Sequence, residues 1–287
     1  MSPETGNVIS RRSLLALPLA AAALPAQYRP PLKLGHRAAS MKMVGNIDVF
    51  RLARQIEGLD GVELQIATGN ADLWDLDNVR TYKREAHRWG IQIPSLAGVW
   101  QKGISIKSSP EAGTQLLRAI RGAELIGAHI ILVAFFRDRA PDMNDESSYG
   151  PVVEVLRAAA GPARDAGVVL GLENSLSPAH NVKLVDLIAE DNVKVYYDAH
   201  NMDFYGHHAE AIPGIKLIGK NRICQVHIKN DEKLIEESGP IDWMAAFEAF
   251  NEIEYDGWYV FESKHDGREQ LIESTERNIK FLQSRLG

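Results

Sequence analysis

Eight short apolar or β-branched runs, each followed by a longer segment of helical period, constrain this chain more than any other feature. The runs are Leu32–His36, Gly61–Ile66, Ile91–Leu96, His129–Phe135, Val168–Glu173, Val193–Asp198, Cys224–Ile228 and Trp258–Glu262. The helical segments are Asp48–Glu57, Leu76–Trp89, Pro110–Ile126, Tyr149–Ala166, Asn181–Ala189, His208–Ile218, Asp242–Ile253 and Arg268–Leu286. Ser109 is placed to cap the third of these, with Pro110 in its first turn. Gly58, Gly90, Gly127 and Gly167 stand where left-handed helix ends are expected. Strands alternating with helices in this way give βαβ units and a parallel sheet. Eight units favour a closed (β/α)8 barrel, an α/β fold of about 250 residues. An open doubly wound sheet would bring an early Gly-rich phosphate loop, and neither G-x-G-x-x-G nor G-x-x-x-x-G-K-[ST] occurs. No linker interrupts residues 28–287, so a single barrel domain is expected there.

The first 27 residues differ. Ser10-Arg11-Arg12-Ser13-Leu14-Leu15 is a twin-arginine pattern, followed by an apolar stretch from Leu14 to Leu24 and small residues over Ala21–Ala26. That order reads as a positively charged start, a short apolar region and a cleavage site. The apolar stretch is well short of the roughly 20 residues a membrane span needs. The segment resembles a twin-arginine export signal, which implies a periplasmic or exported protein with no stable membrane insertion once the signal is removed. Cys224 is the sole cysteine, so no internal disulfide can form, and its apolar neighbours make it a core residue. The net charge of −6 offers no basic excess for nucleic acid.

Chemistry in such a barrel gathers at the C-terminal ends of the strands. The last four runs end in or just beyond Glu173, Asp198, His227 and Glu262. A charged residue after an apolar run is costly unless paired or metal-bound. Three carboxylates converging alone would repel one another, and one divalent cation relieves this. Oxygen ligands with one imidazole suit Mn²⁺ best, with Mg²⁺, Co²⁺ and Zn²⁺ as alternatives. Taken singly, each residue has a plainer reading: Asp198 as a helix cap, His227 as a core histidine, a glutamate as a solvated loop residue. Further candidates for substrate contact are His36, Glu63, Gln65, Trp100, Phe135, Phe136 and Arg137. His207 and His208 read better as a solvated helix end than as a second metal pair.

These segments resemble the xylose-isomerase-like TIM-barrel superfamily, in its sugar phosphate isomerase/epimerase branch of ketose 3-epimerases and hydroxypyruvate isomerases. The similarity extends to Gly239-Pro240-Ile241-Asp242-Trp243 and Tyr255-Asp256-Gly257-Trp258. It implies that Glu173, Asp198, His227 and Glu262 hold the metal and that Glu173 and Glu262 form the acid/base pair. Several members carry a substrate-binding histidine three residues after the aspartate; here that position is Asn201, and the histidine is His200. Lys229 and Lys233 compete for the basic position after His227.

The chemistry expected is proton abstraction beside a carbonyl, with return to the opposite face (epimerisation) or to the adjacent carbon (isomerisation). Sugar phosphates are mainly intracellular, so export points to an unphosphorylated sugar or glycoside as small-molecule partner. It also raises an alternative, a lyase that cleaves 3-keto-glycosides by β-elimination. A non-catalytic sugar-binding barrel and an abasic-site endonuclease fit the sequence less well. A homo-oligomer is compatible with all of these. Residues 1–30 fused to a reporter should carry it to the periplasm, and Arg11→Lys with Arg12→Lys should abolish that export. Fractionation of the reporter decides, and export surviving the double change would refute the signal.

Overall fold

The computed structural model describes residues 31–286, so the twin-arginine segment lies outside the described residues. Eight parallel strands close in sequence order: β1 (Lys33–Arg37), β2 (Gly61–Gln65), β3 (Ser95–Ala97), β4 (Ile130–Phe135), β5 (Val169–Asn174), β6 (Val193–Asp198), β7 (Ile223–Ile228) and β8 (Trp258–Phe261). The ring is sealed by β1 against β8, with Leu34 opposite Tyr259 and His36 opposite Phe261. The helices among the described residues are α1 (Val49–Ala53), α2 (Leu76–Trp89), α3 (Ala112–Ile126), α4 (Glu146–Asp165), α5 (Pro178–Ile188), α6 (Ala199–Phe204), α7 (Pro213–Ile218), α8 (Trp243–Glu252) and α9 (Arg268–Leu286). This is the closed single-domain barrel expected from the alternation. Among the described residues, no helix is long and apolar enough to cross a membrane.

Local chemistry explains the boundaries. Asp75, Asp145, Ser177 and Asp242 cap α2, α4, α5 and α8 by accepting first-turn N–H groups. Gly58, Gly90, Gly127 and Gly167 all adopt positive φ, as expected. Several elements differ from expectation; α1, for example, is only Val49–Ala53, and α4 and α5 start three residues early, at Glu146 and Pro178. β3 is only Ser95–Ala97, because Pro94 lacks an N–H and leaves Gln92 as an isolated bridge to Gly61. α3 starts at Ala112, since the Ser109 hydroxyl accepts the Ser105 N–H within the preceding turn and leaves no side-chain cap. The expected helix His208–Ile218 splits into a 3₁₀ turn (His208–Glu210) and α7, which begins at Pro213. α6 directly follows Asp198, whose side chain accepts the Asn201 N–H.

The core has two parts. A large layer packs between the sheet and the helices and takes the outward residues, such as Val195, Tyr197, Val226 and Ile228. A small cluster of Ala97, Ile130, Leu132 and Tyr196 fills the lumen below the mouth. Between β6 and β7 the pairing shifts: Val195 faces Ile223, but the next residue, Tyr196, faces Gln225. Cys224 is the extra residue of this bulge and packs against the lumen cluster. Beyond it Gln225 and His227 point inward, while Val226 and Ile228 point out.

Two glycines of α3 test the packing. An added Cβ at Gly122 would lie 2.7 Å from the Leu73 carbonyl oxygen and 2.9 Å from Ile66 Cδ1, whereas one at Gly113 meets nothing within 4 Å. Gly122→Ala should therefore destabilise by about 1–3 kcal/mol through overpacking. Gly113→Ala should stabilise by about 0.5 kcal/mol through lower backbone entropy. Urea unfolding of both variants measures the difference, and equal effects would refute the close approach at Gly122.

Candidate active site

The ends of β5, β6 and β7 and the residue after β8 converge at the mouth. Glu173, Asp198, His227 and Glu262 each offer a ligand atom, and these atoms lie within 4.8 Å of one another. His227 sits centrally, its Nδ1 3.1 Å from Glu173 Oε1 and 3.6 Å from Glu262 Oε2. The other ring nitrogen, Nε2, lies 3.3 Å from Oε1 of Glu63, which sits in the middle of β2 rather than at its end. Glu262 stands one residue past β8, yet its N–H still donates to the Ile228 carbonyl, so the ladder holds it.

Two cations balance the carboxylates. Lys229 Nζ is 2.7 Å from Asp198 Oδ2, 2.7 Å from Glu262 Oε2 and 3.0 Å from Asn201 Oδ1. Arg37 pairs with Glu262 and, at 3.2 Å, with Glu63. Four carboxylates against these two fixed cations leave a net charge of −2 with His227 neutral and −1 with it protonated, so the mouth attracts a further cation. The donor set fits such an ion: oxygens and one imidazole, with the Lys229 ammonium standing among them as a cation would. Burial lowers the His227 pKa, but Glu63 and Glu173 outweigh it and raise the value to about 8. Burial alone would raise Glu63, yet His227, Arg37 and hydrogen bonds bring it down to about 2. Asp198 is held below the usual carboxylate range, Lys229 and His227 overcoming its burial.

The substrate candidates fall in different places. Asn201, in the first turn of α6, donates to Glu173 Oε1 at 2.9 Å. His200 beside it is buried, with Nε2 3.2 Å from Asp231 Oδ1. Lys229 is at the cluster, whereas Lys233 donates away from it, to the Ser238 carbonyl. Trp243 of the Gly239–Trp243 turn donates its indole N–H to the Lys229 carbonyl at 3.2 Å, which fixes that backbone. Trp100 donates to the Ala134 carbonyl at 2.7 Å. Phe136 stacks on Tyr205 with centroids 5.4 Å apart, and Arg137 lies over Phe204. Phe135 is buried, and Gln65 packs against Gly98. Glu63 is wholly buried beneath His227. His36 is also fully buried, its Nε2 3.3 Å from His265 Nε2, and burial with that neighbour lowers its pKa to about 3. His207 reaches the Ser175 carbonyl and His208 reaches Asp203, both away from the cluster.

The sequence pattern does not single out Arg37, Ser95, Tyr196 or Gln225. Arg37 stands one residue beyond the expected end of the first run. The others are polar residues inside or beside apolar runs, and that interruption was the available signal.

A family model described as xylose isomerase-like TIM barrel matches residues 50–285. The chain is 30% identical over 163 residues to a 2-epi-5-epi-valiolone 7-phosphate 2-epimerase from Actinoplanes sp., a match covering 55% of this chain. It thus spans 58% of the length of that curated relative. In three dimensions it resembles D-psicose 3-epimerase from Clostridium cellulolyticum H10, at TM-score 0.74 and 18% identity over 89% of this chain and 99% of the other. It also resembles 3-keto-D-glucoside 4-epimerase from E. coli, at TM-score 0.69 and 16% identity over 88% and 100%.

Elemental analysis of protein purified without chelator should find one divalent ion per chain, and a stoichiometry near zero with activity retained would refute the site. His227→Ala should weaken binding by more than the roughly 10–100-fold typical of outer-shell partners, with an unchanged far-UV spectrum.

Proposed function

Because the chain belongs to the xylose isomerase-like TIM-barrel family, we propose that it is a metal-dependent sugar epimerase acting on an unphosphorylated sugar or sugar derivative. The observation that carries this reading is the pair of glutamates flanking His227, Glu173 at 3.1 Å and Glu262 at 3.6 Å, in one four-residue cluster. Sugar epimerases recur among the relative and the structural neighbours, and their names support epimerisation ahead of isomerisation or elimination.

Glu173, Asp198, His227 and Glu262 would hold the ion, for which Mn²⁺ is the best match to the donors. When bound, a divalent ion supplies Lewis acidity toward a substrate carbonyl. One glutamate takes the proton from the neighbouring carbon, and the other delivers a proton to the opposite face. Asn201 orients Glu173 through its Oε1, while Arg37 and Lys229 hold the two oxygens of Glu262. These contacts hold each carboxylate in one orientation, as a positioned proton carrier requires.

Charge argues against a phosphorylated substrate. Both rim cations are committed to carboxylates. The adjoining cavity of about 430 Å³ sets Arg37, Lys42 and Lys264 against Glu232, Glu262 and Asp266, so it has no surplus for a phosphate dianion. The twin-arginine segment, read as an export signal, agrees with a free sugar or an oxidised glycoside.

Glu173→Gln and Glu262→Gln should each lower turnover by about 10²–10⁴-fold. In D₂O, with free ketoses and 3-keto-glycosides as substrates, one variant should still exchange the substrate proton from the face served by the intact glutamate. NMR follows exchange and product together, with metal content checked. Two metal-loaded variants that both convert substrate at near wild-type rates would end the two-glutamate mechanism.

A further inference from the structure

We infer that Glu63 is a positioning residue for His227: it holds the imidazole through Nε2 so that Nδ1 is the nitrogen presented to Glu173 and Glu262. The inference rests on the metal-site reading above.

Glu63 is the middle residue of β2 and His227 lies on β7, so their contact crosses the lumen. Both side chains are fully buried, which keeps Glu63 out of reach of a substrate at the mouth. Each oxygen of Glu63 is engaged. Oε1 faces His227 Nε2 at 3.3 Å and Arg37 Nε at 3.2 Å. Oε2 accepts from Ser95 Oγ and from the Tyr196 hydroxyl, both at 2.8 Å.

The direction of these bonds is fixed by Gln225. Its amide Nε2 donates to Ser95 Oγ at 2.8 Å and to the Tyr196 hydroxyl at 2.6 Å. An amide NH₂ only donates, so both hydroxyls act as acceptors toward Gln225 and send their own hydrogens to Glu63. An ionised carboxylate only accepts, so the His227 nitrogen facing it carries the hydrogen. Nδ1 faces Glu173 at 3.1 Å and donates to it while the cluster holds no cation. An ion held there would need the Nδ1 lone pair, and the one remaining ring hydrogen then stays on Nε2, toward Glu63. Four side chains from four strands, Glu63, Ser95, Tyr196 and Gln225, thus hold His227 in one ring orientation, with Nδ1 toward the cluster. A carboxylate behind a ligating imidazole also raises its basicity as a ligand.

The test uses the full barrel, stripped of metal and titrated with Mn²⁺ by calorimetry. Glu63→Gln should weaken Mn²⁺ binding roughly 10–100-fold, while the thermal midpoint of the metal-free protein stays near wild type. Tyr196→Phe, which leaves the carboxylate in place, should weaken it much less. In Zn²⁺-loaded wild-type protein, ¹⁵N NMR should find the His227 proton on Nε2, and that Nε2–H resonance should shift in Glu63→Gln, a readout that a merely structural role would not move. A folded Glu63→Gln protein that binds Mn²⁺ as tightly as wild type would overturn the inference and leave the metal site standing. If that variant fails to fold, the wild-type tautomer decides, and a proton on Nδ1 overturns it. A wild-type protein that binds no divalent ion removes the metal reading, and this inference with it.

Discussion

Closing eight parallel strands into a ring sends all their C-terminal ends to one rim, and here that rim collects like charges. Glu63, Glu173, Asp198 and Glu262 would repel one another in a buried mouth unless each met a positive or hydrogen-donating group. The surrounding structure supplies those groups at set positions. Arg37 spans Glu63 and Glu262, Lys229 spans Asp198 and Glu262, and His227 stands between Glu63 and Glu173. The loops answer to the same constraint. The turn before α8 places Trp243 on the Lys229 carbonyl, and Asp198 both faces Lys229 and caps the helix that carries Asn201. What remains uncompensated is net negative charge, and that excess, beside four residues able to ligate an ion, sets the mouth apart from a plain salt-bridge network.

The architecture was legible because strand and helix alternate over the whole barrel, and the four cluster residues were legible because each interrupts or ends an apolar run. The supporting residues were not. A strand buried on both faces shows no alternation, so nothing in its run tells which residues enter the lumen. Ser95, Tyr196 and Gln225 interrupt their runs with polar groups, but nothing there shows that Gln225 donates to both hydroxyls and both hydroxyls to Glu63. Glu63 was visible as a polar residue expected at a strand end, but it lies mid-strand and fully buried, and that depth separates a group that meets substrate from one that meets His227. Helix boundaries failed where a side chain had another use, as when the Ser109 hydroxyl bonds Ser105 instead of capping α3.

The phase of β7 shows how narrowly the site depends on backbone detail. Ile223 packs outward, so strict alternation would turn His227 outward as well. The bulge at Cys224 adds one residue and reverses the phase, bringing Gln225 and His227 inward. That extra residue needs room in the lumen, and β5 provides it. A Cβ at Gly171 would lie 2.8 Å from Cys224 Sγ and 3.2 Å from the Tyr196 ring, so the glycine there is what lets both side chains fit. Gly171 is two residues before Glu173 and shares its inward phase. The glycine that accommodates the bulge and the glutamate that meets His227 are therefore consecutive inward positions of one strand. A larger residue at Gly171 would press on Cys224 and Tyr196 together, and through them on the strand that carries His227 and on the hydroxyl that steadies Glu63.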